Sequence, residues 1–269
     1  MHPVLFQVGP LEIRSYGVFM AAGFAAGAWW LVRRGRARGL PAHRMLDLVM
    51  AMIVTGLIGG RLLYVLTHWG EFAARPLYAL LPIRPGGGVG YSGLVYYGGI
   101  GLAIPVAAAL VRRWELSPWK VLDAGAPALA LGTAVGRLGC FFNGCCYGHP
   151  TDSLLGMVFP PGSLAGSAFP GVPIHPTQLY MVAYNLAIAG ALLLVDRRWG
   201  RFDGTVIGAY LILTGFFRAL VDLFRYYEAP MRAFEAAGAV ITVNQLIGLG
   251  VVAVGTLIIA RSRTSTPEA

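Results

Sequence analysis

Charged side chains are scarce in this sequence: Asp, Glu, Lys and Arg together make up 12% of its 269 residues. Soluble domains carry roughly 25% charged residues, so this chain has too little charge to cover a water-facing surface. Cysteine is also rare, and three residues are too few for a disulfide scaffold. The basic residues form short clusters rather than a continuous face, which argues against a nucleic-acid partner.

Apolar residues are abundant instead. They account for 57% of the chain, and the mean hydropathy is +0.65, a composition typical of a protein whose solvent is lipid. Runs long enough to cross a bilayer, about 17–25 residues each, fall near seven ranges: 16–32, 45–67, 93–111, 121–142, 177–195, 203–224 and 243–260. The sequence therefore predicts an all-α polytopic membrane protein, a single domain over 1–269 with seven transmembrane helices.

Arginine clusters predict the direction of these helices. They follow the first, third, fifth and seventh runs, and cytoplasmic loops are enriched in Lys and Arg. We therefore expect the N-terminus outside and the C-terminus in the cytoplasm. The first run is not expected to be a cleaved signal peptide, because its positive flank follows it. The outer connections, about 68–92, 143–176 and 225–242, are rich in Gly, Pro and aromatic residues and predict irregular caps.

Three arginines fall inside the predicted spans, where an uncompensated charge costs on the order of several kcal/mol. Arg61, Arg137 and Arg218 lie on the second, fourth and sixth runs, which all run outward. A rise of about 1.5 Å per residue places each guanidinium about 22–24 Å above the cytoplasmic edge. Planar guanidiniums bind phosphate oxygens through paired hydrogen bonds. The spacing therefore predicts a site for a phospholipid headgroup in the outer third of the bilayer.

Each arginine also has a purely structural interpretation. Asp222 lies one helical turn after Arg218, so the two can neutralise each other. Asp123 and Asp47 can serve the other arginines. Long basic side chains can also reach the headgroups from inside a span.

The most specific segment is Gly136–Gly148, which reads Gly-Arg-Leu-Gly-Cys-Phe-Phe-Asn-Gly-Cys-Cys-Tyr-Gly. It resembles the signature of the prolipoprotein diacylglyceryl transferases, in which Gly-Arg-x-Gly-Asn-x-x-Asn-Gly-Glu-x-x-Gly follows the fourth helix. Further segments match the family in the same order: Tyr16-Gly17, Gly59 to Tyr64, Gly98-Gly99, Asp123, His175 to Tyr180, Phe217 to Arg225, and Gln245. The resemblance covers nearly the whole chain.

The resemblance implies a membrane enzyme of the bacterial inner (cytoplasmic) membrane, with its active site toward the outer leaflet. Such an enzyme transfers the diacylglyceryl group of phosphatidylglycerol to the lipobox cysteine of a prolipoprotein signal peptide and releases glycerol phosphate. Its partners are these two substrates and membrane lipid, with no nucleic acid. No metal or organic cofactor is expected.

The implied site residues form two groups. The catalytic group is Arg137, Arg218, Tyr97 and His175. The substrate-binding group is Tyr16, Arg61, Asn143, Gly144, Gly98, Gly99, Asp222, Gln178 and Tyr180. Arg137 and Arg218 are expected to clamp the phosphate, and Asp222 to hold Arg218. Tyr97 or His175 is expected to accept the proton of the attacking thiol.

Several positions differ from the family pattern, while Arg137, Arg218, Asn143 and Gly144 match it. The differing residues are Tyr97 for histidine, Cys140 for asparagine, Cys145 for the acidic residue, Thr214 for tyrosine, and Met181 for an acid. The anion-binding positions are thus retained and the proton-handling positions altered, so the base is a choice among Tyr97, His175 and His149.

The cysteines and His149 form the pattern C-x4-C-C-x2-H. This spacing matches no standard zinc module, so a metal is not expected from it. A disulfide from Cys140 to Cys145 or Cys146 and unpaired buried thiols both stay open.

Two other functions are compatible with the sequence. The altered proton-handling positions suit a catalytically weakened paralogue that binds phospholipid or prolipoprotein without turnover. The arginines would also suit an anion transporter, although the sequence shows no internal repeat of transporter type.

Overall fold

The computed structural model describes residues 4–9, 11–73, 93–200, 202–227, 232–236 and 239–264. This part of the chain is mainly helical, with two short antiparallel hairpins. In chain order the elements are β1 (Val4–Val8), β2 (Leu11–Arg14), α1 (Ser15–Ala37), α2 (Ala42–Thr67), α3 (Trp69–Phe72), α4 (Tyr96–Arg113), α5 (Pro118–Asn143), α6 (Leu164–Ala168), α7 (Thr177–Trp199), α8 (Thr205–Asp222), β3 (Arg232–Ala236), β4 (Ala239–Thr242) and α9 (Val243–Thr264).

Six of the described helices are long and apolar enough to cross a membrane: α1, α2, α5, α7, α8 and α9. They coincide with the first, second and last four predicted runs, which confirms a helical, multi-pass membrane protein. The third run corresponds to α4, whose 18 residues begin with two tyrosines and end with two arginines. This helix is not among those six, so a seventh span and the orientation stay predictions.

The predicted caps are more regular than their composition suggested. The connection 225–242 contains the β3–β4 hairpin, and 143–176 contains α6 together with isolated bridges that pair Ile174 with Pro150 and Met157. Strands were not predicted at all, and the β1–β2 hairpin also precedes the first span. In the connection 68–92, α3 lies near the start, and residues 74–92 are outside the described part of the chain.

Helix α5 is the centre of the bundle and packs against α1, α7 and α8, whereas α2 packs mainly on α4. Close approach of these helices depends on glycine. A Cβ atom at Gly23 of α1 would lie 2.7 Å from the carbonyl oxygen of Gly132 on α5, and one at Gly59 of α2 would lie 2.3 Å from that of Gly98 on α4. Small residues at a membrane interface allow such backbone contact.

A buried carboxylate ties the first turns of α5 and α8 together. The side chain of Asp123 is fully buried and accepts hydrogen bonds from the backbone N–H groups of Gly204 and Ile207, at 2.9 and 2.8 Å. The N-terminus of a helix is a favourable place for an anion. Arg38 at the end of α1 adds a longer ion pair of 3.5 Å, and it also pairs with Asp196 near the end of α7. One carboxylate therefore sets the relative positions of several helices.

We predict that Asp123→Ala destabilises the folded protein by on the order of 3 kcal/mol, because it removes charge-assisted hydrogen bonds and leaves Arg38 with one fewer partner. Thermal unfolding in detergent measures the effect. The matched control is Asp47→Ala, since Asp47 is exposed on α2. Equal melting temperatures for the two variants would contradict the prediction.

Candidate active site

The signature segment lies at the end of α5 and turns sharply there. Gly144 caps the helix in the left-handed conformation, with φ of +69°. A Cβ atom at this position would also lie 2.6 Å from Cβ of Ser163. Both the backbone conformation and the close packing therefore require glycine. The turn directs Cys145 and Cys146 back toward the bundle.

The first turn of α7 holds this turn in place. Thr177 donates its hydroxyl to the carbonyl oxygen of Cys146, and Gln178 donates its amide to that of Cys145, each at 2.7 Å. Both donors are fully buried. The predicted substrate-binding residue Gln178 thus positions the cysteine turn, while its own buried Oε1 has no hydrogen-bond partner among the described residues.

Arg137 lies in the last two turns of α5, next to the cysteines. Its Nη1 is 3.9 Å from Sγ of Cys140, and it is within electrostatic range of Cys146. The first turn of α1 packs on the same region, because Phe19 and Phe142 stack with ring centroids 5.0 Å apart. This contact brings Tyr16 within electrostatic range of Arg137 and the cysteines. The structure therefore groups Tyr16, Arg137 and the signature turn at one end of the bundle.

Arg218, on the neighbouring helix α8, is held along one edge. Its Nη2 donates to the hydroxyl of Tyr227 at 2.6 Å and lies 3.6 Å from Asp222, while Tyr227 donates in turn to Asp222. Thr242 donates to the second carboxylate oxygen. The buried Nη1 of Arg218 has no hydrogen-bond partner among the described residues. Nη2 of the guanidinium is therefore held in place, while Nη1 is available to donate a hydrogen bond.

The sequence pattern does not identify Tyr227 as a site residue. It lies beyond the matched segment that ends at Arg225, and an adjacent tyrosine pair gives no sign of which member points inward. Burial raises the pKa of the Tyr227 hydroxyl, and the guanidinium of Arg225 opposes this only in part. The phenol therefore keeps its proton at neutral pH and can donate it to Asp222.

His175 is joined to the cap that covers the signature turn. Its carbonyl accepts from the N–H of Gly148, its own N–H donates to the carbonyl of His149, and its Nδ1 lies 3.0 Å from the hydroxyl of Tyr180. Burial lowers the pKa of His175 below the ordinary value of 6.5, and the nearby His149 lowers it further. A neutral imidazole of this kind is able to accept a proton at neutral pH.

Tyr97 and Arg61 are carried by helices other than those of Arg137 and Arg218. Tyr97 is 63% exposed at the start of α4 and contacts Tyr96 edge-on, with ring centroids 5.9 Å apart. The guanidinium of Arg61 lies 5.2 Å from the ring centroid of Phe72. Both residues are on the α2–α4 pair, whereas Arg137 and Arg218 are on α5 and α8, which pack together directly. The meeting of all three arginines at one headgroup stays a prediction.

Two of the predicted substrate-binding glycines have packing roles. A Cβ atom at Gly98 would lie 2.3 Å from the carbonyl oxygen of Gly59, and one at Gly99 would lie 3.0 Å from that of Gly56. These positions thus allow α4 to approach α2. A direct contact of Gly98 or Gly99 with lipid stays a prediction, as does one for Asn143, the last residue of α5.

All three cysteines lie within the described residues and have free thiols, so no disulfide joins them. Their sulfur atoms all lie within 4.8 Å of one another. Cys140 is buried, and the other two are half-buried. Hydrogen bonds from the thiols of Cys140 and Cys145 lower the pKa of Cys146, and the guanidiniums of Arg225 and Arg137 act in the same direction.

Comparison with known proteins supports the resemblance found in the sequence. The family model described as prolipoprotein diacylglyceryl transferase matches residues 3–261. A phosphatidylglycerol–prolipoprotein diacylglyceryl transferase of Solidesulfovibrio magneticus is 34% identical over 264 residues, which cover 96% of this chain and 94% of that protein. A protein of the same name from Vibrio cholerae is 32% identical over 267 residues, covering 97% and 91% of the two chains. One named transferase 2, from Clostridium perfringens, is 30% identical over 225 residues, 84% of each chain. The chain belongs to the prolipoprotein diacylglyceryl transferase family.

Proposed function

We propose that this protein transfers the diacylglyceryl group of phosphatidylglycerol to the lipobox cysteine thiol of a prolipoprotein, forming a thioether and releasing glycerol phosphate. Family membership supports the reaction, and one observation in the structure carries the assignment to this site. Arg218 is fixed by Asp222 and Tyr227 while its buried Nη1 has no partner among the described residues. A donor held in this way is ready for an anionic substrate group.

The chemistry follows from the charges that change during the reaction. The substrate sulfur attacks the glycerol carbon that bears the phosphate, and the bond from that carbon to the phosphate oxygen breaks. The electron pair leaves with the phosphate, whose charge grows in the transition state. Arg137 and Arg218, on packed helices, supply fixed positive charge for it.

We place the site toward the outer leaflet of the bacterial inner membrane, in a bundle of seven spans with the N-terminus outside. Asp123 and Arg137 are 14 residues apart on α5, about 21 Å along the helix axis. Asp123 lies at the end where the arginine-rich terminus of α1 packs, and such clusters favour the cytoplasm. This supports a position of Arg137 near the opposite, outer face.

Among the candidate bases Tyr97, His175 and His149, the geometry favours His175, since the other two are exposed. It shares backbone hydrogen bonds with Gly148 at the end of the signature segment, whereas Tyr97 is exposed on α4. We propose that His175 accepts the thiol proton and that Tyr180, bonded to its Nδ1, orients the ring.

We predict that Arg137→Lys and Arg218→Lys each lower the transfer rate by about 100-fold or more, because an ammonium cannot reproduce the two-pronged contact of a guanidinium. Mass spectrometry of a lipobox peptide incubated with phosphatidylglycerol vesicles measures the product. Arg36→Lys, at an exposed position of α1, is the control and should keep the rate. A near-native rate in either site variant would refute the phosphate clamp.

We predict that Tyr227→Phe lowers the rate by about 10-fold, since Arg218 loses its 2.6 Å hydrogen bond and its orientation. The neighbouring Tyr226→Phe is the matched control, because Tyr226 is exposed and stacks on Tyr147 instead. The same peptide assay compares them. Equal rates for the two variants would show that Tyr227 does not position Arg218.

We predict that the transfer rate falls as the pH drops through a midpoint below 6.5, because the base must be neutral and burial lowers the pKa of His175. Initial rates across pH measure this limb, which His175→Gln should remove together with most of the activity. Tyr97→Phe should keep both the rate and the limb. An unchanged limb in His175→Gln would assign the base to another group.

A further inference from the structure

The three cysteines lie together at the end of α5, although their sequence spacing predicts no zinc module. Cys140 is on the last turns of the helix, and Cys145 and Cys146 follow the Gly144 turn. Their sulfur atoms all lie within 4.8 Å of one another. Sulfur ligands on a tetrahedral zinc ion, at about 2.3 Å from the metal, are about 3.8 Å apart. Shifts of about 1 Å or less would therefore bring all three thiols onto one ion.

The backbone holds this arrangement at some energetic cost. Cys146 has φ of +62°, a left-handed conformation that residues other than glycine adopt at a cost of about 1 kcal/mol or more. The buried side chains of Thr177 and Gln178 fix the carbonyl groups of Cys146 and Cys145. The turn is thus held in the form that places adjacent cysteines beside Cys140. Strain retained in this way points to a function of the cluster.

The surroundings suit a thiolate–metal group. Three thiolates on a divalent zinc ion carry a net charge of −1, which needs compensation in an apolar bundle. Nη1 of Arg137 lies 3.9 Å from Sγ of Cys140, and both Arg137 and Arg225 are within electrostatic range of Cys146. Such neighbours orient and stabilise the ligands of a metal site.

A disulfide accounts for the cluster less well than a metal does. It would use two of the three sulfur atoms and leave the third without a role, and it needs two of them at about 2.05 Å. A zinc ion uses all three. Three protein ligands and an open fourth position are the arrangement found at catalytic rather than structural zinc sites.

From this placement we propose that Cys140, Cys145 and Cys146 bind one zinc ion, and that the substrate's lipobox thiolate becomes its fourth ligand. This inference rests on the transfer reaction proposed above. Two of the three ligands, Cys140 and Cys145, stand where the family pattern has asparagine and an acidic residue, so the metal accounts for both departures at once. Zinc deprotonates a coordinated thiol, which supplies the attacking sulfur.

The step balances without any further reactant. The lipobox thiol binds the zinc as its proton passes to the proposed base, His175. The bound sulfur then forms a bond to the glycerol carbon, the bond from that carbon to the phosphate oxygen breaks, and the electron pair leaves with glycerol phosphate. The neutral thioether is a weaker ligand than a thiolate and dissociates from the zinc. Because Arg137 adjoins Cys140, the phosphate clamp and the sulfur lie side by side.

The first experiment measures zinc in the full-length protein, purified in detergent without chelator, by elemental mass spectrometry. We expect about one zinc per chain in the wild type and at least a 10-fold lower content in Cys140→Ser, Cys145→Ser and Cys146→Ser. His149→Ala is the matched control and should keep its zinc, because His149 is exposed and lies outside the sulfur cluster. Zinc loss in His149→Ala would mean a closed four-ligand site and overturn the role of the substrate thiol.

A serine variant that misfolds also loses zinc, so a second experiment removes and replaces the metal in the wild-type protein. Chelation of the wild type should lower thioether formation at least 10-fold, and added zinc should restore it. With cobalt in place of zinc, a lipobox peptide should strengthen the thiolate charge-transfer absorption, while its serine analogue should not. Absence of zinc from an active enzyme, or a disulfide among the cysteines of the active enzyme, would overturn the zinc site and leave the transferase function standing. Zinc binding without any thioether product would instead overturn the proposed function.

Discussion

A charged side chain inside an apolar helical bundle must meet a partner, and this requirement determines how the helices of this protein are arranged. Asp123 on α5 meets backbone N–H groups at the start of α8 and the guanidinium of Arg38. Fourteen residues further along α5, Arg137 meets the thiol of Cys140. The contacts of Asp123 join α1, α5 and α8 at one end of the bundle. The contact of Arg137 with a thiol is weaker than an ion pair. An anionic substrate therefore gains the most binding free energy beside Arg137.

The parts of the fold that the sequence predicts are those set by local composition. Long apolar runs determine six of the spans, and the helix at 96–113 also appears where its run predicts one. The hairpins were missed because both are short and lie next to spans, where apolar strand residues merge with the helical pattern. The Gly and Pro content of the caps predicts irregular structure, yet Ile174 pairs with two separate segments there. Such pairings depend on contacts distant in sequence.

The site was predictable to the extent that its residues lie on helices. Counting residues along α5 and α8 placed Arg137 and Arg218 at similar depth, and the structure puts these helices in contact. The same count placed Arg61 at that depth but gave no information on which helices are neighbours, and α2 packs mainly on α4. Cys145 and Cys146 follow the end of α5, where the left-handed Gly144 redirects the chain, and Tyr227 follows the end of α8. Residue spacing has no predictive value across such a turn.

The positions that differ from the family pattern are not scattered through the molecule. Cys140 and Cys145 lie in one cluster with Cys146, which the first turn of α7 fixes and Arg137 borders. Independent losses of catalytic residues would not be expected to bring three sulfur atoms together. Cys140 and Cys145 together replace an asparagine and an acidic residue of the family pattern, next to Cys146. This joint replacement indicates that the protein handles the substrate thiol by a different chemistry and has not lost the ability to do so. On this interpretation Arg137 and Arg218 still stabilise the leaving phosphate. The activation of the attacking thiol is carried by the cysteine cluster, at the same place in the fold.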